Sequence, residues 1–256
     1  MEGEYIFEVS KLRALEGRLL STRRLHEMTE LGNEKQMLEL LESEGYEMFP
    51  DFREILAARR RSLLSQLFET VENCPELDVL LTKNDIQNIK TAVKCIVASK
   101  SAEGLFVYPT RIDTEGLLNS IRDGKFDDID EKYSEAAKQG YELICSTGDG
   151  QLFEAFADRT ALALMKEGAE RCGSRMLKDY VTLFIMLCDA KTAFRCAKYG
   201  KSAEFALSAI CGTDGLSKEL LSQAAARGTD EVISLLENSD LKEGAGLLLT
   251  DPTAFE

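Results

Sequence analysis

Apolar residues return every three or four positions along most of the chain, the period of α-helices that pack by one face. In "NDIQNIKTAVKCIVASK" Ile86, Ile89, Val93, Ile96 and Val97 share such a face. Asn84, with Gln87 three residues on, offers the polar pair of an N-terminal cap. In "LGNEKQMLELLES" Gly32 closes one helix in a left-handed turn, and Asn33 and Gln36 cap the next. Met37, Leu38, Leu40 and Leu41 then drive that helix into a core. Strand-like alternation is confined to "GLFVYP", closed by Pro109. The pattern predicts an all-α fold, one all-helical domain over residues 1–256.

The helices recur. A shift of 104 positions lays Asp85 on Asp189, Lys94 on Lys198, Glu115 on Glu219, Leu117 on Leu221, Gly124 on Gly228 and Ile129 on Ile233. The same shift lays Phe49 on Phe153 and Phe52 on Phe156. A third, fainter copy lies in "RLLSTRRLHEMTELGNEKQMLELL", which shares with "LLNSIRDGKFDDI" and "LLSQAAARGTDEVI" the order helix, glycine stop, helix. The expected units are 1–48, 49–152 and 153–256, in a pseudo-threefold arrangement whose neighbours bury each other's faces.

Composition narrows the chemistry. A net charge of −14 disfavours nucleic acid and anionic membrane as partners. The seven cysteines include no C-x-x-C pair, which fits reduced, buried thiols in a cytosolic protein rather than disulfides or a zinc site. "MEGEYIFEVS" lacks the basic start and apolar core of a signal peptide. The longest apolar run, residues 180–188, falls short of the about 20 residues a membrane helix needs, so no direct membrane insertion is expected.

No residue pattern marks a catalytic, cofactor or metal site. His26, the one histidine, sits in an arginine-rich helix remote in sequence from any cysteine and is expected to be half-exposed. "STGDGQ" and "CGTDGL" lack the spacing and lysine of a phosphate loop and are expected to be turns. "DDIDEKYSE" has Lys132 where a calcium loop needs glycine, and is expected to start a helix. Asp85 and Lys94, like Asp189 and Lys198, stand about two and a half helical turns apart and cannot meet within one helix. Their recurrence points to hydrogen bonds or ion pairs at seams between helices. Arg59, Arg60 and Arg61 spread around a helix and are expected to be solvated. Arg13, Arg18, Arg23 and Arg24 are candidate partner-binding residues on a first long helix, with Leu12, Leu15 and Leu19 buried.

Several stretches together resemble the C subunit of V-type and A-type ATPases, the family of the eukaryotic V-ATPase d subunit. They are "RALEGRLLS", "NDIQNIK", "LFEAFADRTALALMKEGAE" and "YVTLFIMLCDAKTAFR". Arg13, Ala14, Leu15, Leu19, Leu20 and Ser21 match the family's start, and Asp85, Asn88, Ile89 and Lys90 its D-x-x-N-[IL]-K helix. Glu154 and Asp158 match its acidic helix. In the 189–194 copy Thr192 and Phe194 replace the asparagine and lysine.

The resemblance implies a funnel of three helical units seated on the membrane proteolipid ring and receiving the rotor shaft. It implies a non-catalytic, cytoplasmic central-stalk connector for proton or sodium transport, with no cofactor, peripheral to the membrane through the complex. Family members continue past the equivalent of "DPTAFE", so the third unit is expected to be incomplete. The alternative is a cytosolic helical-repeat scaffold for a protein partner. A third reading, an enzyme using Glu154 and Asp158, lacks any metal ligand or acid–base complement.

Overall fold

A computed structural model describes residues 6–71 and 74–250. The described residues are helical, with no strand; an isolated bridge joins Thr213 to Leu216. The chain divides into two compact units, 1–74 and 75–256.

The first unit holds α1 (Ile6–Glu16), α2 (Thr22–Thr29), α3 (Glu34–Ser43) and α4 (Phe52–Thr70). The arginine-rich stretch is two short helices and not one long one, because Ser21 leaves helical geometry and caps α2 by accepting from the Arg24 amide. Burial is sparse: no residue of α1 is buried, Leu12 and Leu15 are half-buried, and Leu19, expected inside, is exposed. Asn33 caps α3 through the Gln36 amide, and Leu41 and Ile55 are fully buried. Gly32, however, has no positive φ; α2 ends instead at Glu30 in right-handed geometry.

The second unit holds α5 (Pro75–Val97), α6 (Thr114–Asp123), α7 (Glu131–Thr147), α8 (Gly150–Cys172), α9 (Arg175–Lys198), α10 (Ala203–Ala209), α11 (Lys218–Arg227), α12 (Thr229–Glu237) and the short α13 (Leu247–Thr250). Helix α5 starts on Pro75, whose missing N–H costs nothing at a helix start. Asn84 therefore lies in mid-helix and caps nothing; its amide donates to the Pro109 carbonyl, 2.9 Å away.

Gly148 closes α7 in the left-handed region, and Asp149 opens α8 by accepting from the Gln151 and Leu152 amides. This gives "STGDGQ" its turn. In "DDIDEKYSE" the first aspartates form a short 3-10 turn, and Asp130 caps α7 through the Lys132 amide.

Two equivalent cores result. One packs Ile86, Ile89 and Val93 of α5 with Leu117 and Ile121 of α6, Ile129, Tyr133 and Phe153. The other packs Ala190 and Ala193 of α9 with Leu221 of α11, and Val232, Ile233 and Leu236 of α12. A third cluster, Val79 with Leu162, Met165, Val181 and Ile185, joins α5, α8 and α9.

The helix ends correct the register of the repeat. Ser99 and Gly200 both take positive φ, 52° and 62°. Lys100 N–H donates to the Cys95 carbonyl and Lys201 N–H to that of Cys196, the same closing bond. Cys196 stands 101 positions after Cys95, and in this register residues 90–103 and 191–204 agree at eight of fourteen positions, ending in "KSAE" both times. The offset becomes 104 only beyond the following loop, where α6 and α11 coincide. The second loop is thus three residues longer and contains α10. Asp189 consequently answers to Asn88, Lys191 to Lys90 and Arg195 to Lys94. Asp85 with Asp189, and Lys94 with Lys198, are not equivalent pairs.

Candidate functional site

The polar residues of the second unit fasten helices and loops. Asn88, fully buried, donates to the Val107 carbonyl and accepts from the Val107 amide, at 2.9 and 2.8 Å. One side chain thereby satisfies both main-chain groups of a residue in the loop after α5. Asp189 does the equivalent after α9, accepting from the Cys211 and Gly212 amides at 2.9 and 2.7 Å. Burial pushes its carboxyl up to about 6 against those two amides, which act to lower it.

Asp85 makes a further anchor found only in the first copy. It accepts from Thr110 Oγ1, the Arg111 amide and the Tyr133 hydroxyl at 2.5, 2.9 and 2.6 Å. Burial, and next the Asp85 charge, push the Tyr133 phenol far up, so it remains a donor. Nearby, Lys132 donates to Thr82 Oγ1 at 2.8 Å, and burial lowers its ammonium.

Helices α5 and α8 are tied by a charged ladder. Lys90, whose side chain is 8% exposed, meets Asp158 at 2.8 Å and also pairs with Glu154; Lys94 pairs with Glu154. The partners descend along α8 as the lysines ascend along α5, so the two helices run antiparallel. Burial and the neighbouring Lys90 lower the Lys94 ammonium. The carboxylates Glu154 and Asp158, considered as catalytic candidates, are here partners of a desolvated lysine.

Beside this ladder α5, α8, α9 and α10 enclose two adjoining hollows of about 810 and 430 Å³. Asp158, Thr192, Arg195 and Ala209 line both. Lys83, Lys191 and Lys201 add positive charge to a chain that is acidic overall. Sequence reasoning missed Lys191 and Arg195; the repeated "KTA" at 90–92 and 191–193 was the signal that could have found them.

The remaining candidates lie in the first unit or on the surface. Arg13 pairs with Glu16 at 2.7 Å, Arg23 with Glu27 at 2.9 Å, and Arg24 with Glu27 and Glu44 at 2.8 and 2.7 Å. Arg18 sits in the bend between α1 and α2, exposed, and its carbonyl accepts from Arg59. Arg59 also lies over the Tyr46 ring, while Arg60 and Arg61 are exposed. His26 is exposed, 3.6 Å from Glu30. Lys198 is exposed and makes no ion pair among the described residues. Among those residues no group of three His, Cys, Asp or Glu side chains could hold a metal ion, and no helix is long and apolar enough to cross a membrane.

An all-helical repeat protein, with its buried polar residues spent on holding loops and helices in register, is the class this geometry defines. The family of the ATP synthase (C/AC39) subunit matches residues 9–255, and the chain belongs to it, as a V/A-type ATPase subunit of the C/d kind. No curated protein and no solved structure matches the chain.

Proposed function

We propose that the protein is the non-catalytic central-stalk connector of a V/A-type ATPase, joining the rotor shaft to the membrane proteolipid ring. The observation that carries this reading is the family match over nearly the whole chain. The connector would turn with the shaft and pass its rotation to the ring, linking ATP turnover to proton or sodium movement. It would sit on the cytoplasmic side, peripheral to the membrane. A close-packed helical body suits that task, because protein interiors have low compressibility and transmit strain. Loops gripped by buried Asn88, Asp85 and Asp189 suit it too, since they hold the helix ends without relying on long side chains. The recurrence of α5 and α6 in α9 and α11 supports a build of related units, taken as 1–48, 49–152 and 153–256.

Size-exclusion co-elution with the purified two-subunit rotor shaft, at low and moderate salt, tests the reading. A one-to-one complex is the expected result. Failure to co-elute at either salt would favour a helical-repeat scaffold serving some other partner.

A further inference from the structure

The two adjoining hollows beside the charged ladder carry a charge imbalance that the repeat brings out. On the α5 side the charges cancel, since Lys90 and Lys94 face Glu154 and Asp158 of α8. Arg195 is the counterpart of Lys94 on α9; it lines both hollows and makes no ion pair among the described residues. Two further lining cations rest on neutral groups. Lys201 donates to Gln151 Oε1 at 2.6 Å and lies over the Phe205 ring, and Lys83 lies over the Phe184 ring. An amide or a ring orients a cation without cancelling its charge. Asp149, the remaining carboxylate of the lining, accepts from the Gln151 and Leu152 amides where α8 begins. Three cations thus line the hollows without a carboxylate partner among the described residues, in a chain whose net charge is −14. The wall also has an apolar part. Ile86, Leu162 and Phe184 line the smaller hollow, and α10, which has no counterpart in the first copy's loop, brings Phe205 to the larger.

We propose that these hollows bind a small organic diphosphate, its phosphates held by Arg195 with Lys83 and Lys201 and its body set against the apolar wall. The volumes, about 810 and 430 Å³, suit a small molecule. Arg195 stands where the hollows meet and offers a planar fork that takes two phosphate oxygens at once. Two phosphate groups, at about −1.5 to −2 each, offset three cations, whereas a single carboxylate leaves most of that charge unpaired. The same chemistry has two sources, a soluble ester such as a nucleoside diphosphate and the headgroup of a lipid bisphosphate. The proposal stands apart from the connector reading, since it needs only the charges and shape of the hollows.

Two arms test it with the full chain: calorimetric titration with ADP in the absence of magnesium, and sedimentation with vesicles containing phosphatidylinositol bisphosphate. Saturable binding is expected in at least one arm, weakened about tenfold or more by Arg195→Glu and by Lys201→Glu. Arg195→Lys should retain part of the affinity, which guards against a folding defect. Lys198→Glu makes the same charge change at an exposed residue of α9 outside the hollows and should leave binding intact. Binding of ADP alone assigns a soluble ester, and binding of the vesicles alone assigns a lipid headgroup; either upholds the site. Binding in neither arm, an equal loss in Lys198→Glu, or displacement of the probe by an equal concentration of sulfate would overturn the proposal. A glutamate-rich peptide that binds through Arg195 where ADP and the vesicles do not would place a protein segment in the hollows and overturn it too.

Discussion

Asp189 shows how much one buried carboxylate can decide. Its carboxyl is pushed from 3.8 to about 6 by burial, so the folded protein holds a proton there that the unfolded chain has released. Stability therefore falls as pH rises through that window. The contribution is fully present below about pH 4 and lost above about pH 6. At about 1.4 kcal/mol per pH unit the loss is about 3 kcal/mol. Urea unfolding of the wild type and Asp189→Asn at pH 4, 5 and 7 should show this excess slope in the wild type alone; parallel slopes would contradict it. The residue was visible in sequence as an acid in an apolar run, "IMLCDA". Its equivalence to Asn88 was not. The longer second loop moves everything downstream by three positions, and a gap-free comparison follows the downstream match.

Helix existence was legible because period is a local property; where helices touch is not. Gly168, inside α8, looks like a weak point by propensity. Packing explains it: a methyl group there would lie 2.7 Å from Val79 Cγ2. Gly168→Ala should thus destabilise by about 1–3 kcal/mol through overpacking. Val79→Ala in the same chain should recover part of that loss, a coupling that a double-mutant cycle reads directly. Additive effects would mean the two residues do not meet. The charged ladder was equally hidden: Lys90 and Asp158 are far apart in sequence, and periodicity carries no information about distant partners. The predicted long first helix failed for a local reason, the cap at Ser21, which the leucine spacing around it obscured.

Across the whole molecule the apolar interior is unevenly shared. The three core clusters all lie in residues 75–250, while among the described residues of the first unit Leu41 and Ile55 are the fully buried apolar side chains. Backbone amides in α1 to α4 should accordingly exchange with solvent far faster than those of α5, α8 and α9, because local opening there uncovers little apolar surface. Native-state hydrogen exchange with peptide-level readout measures this, and uniform protection would refute it. The loop grips of the second unit have a different consequence, one for how freely sequence can vary. A side chain that holds main-chain amides reads no letters. Asn88 on Val107 and Asp189 on Cys211 and Gly212 constrain position alone. The segments they hold, "GLFVYPTR" and "ALSAICGTDG", differ in sequence, and the second copy's loop contains a helix, α10. What the two copies have in common is a handhold, while the text around it differs.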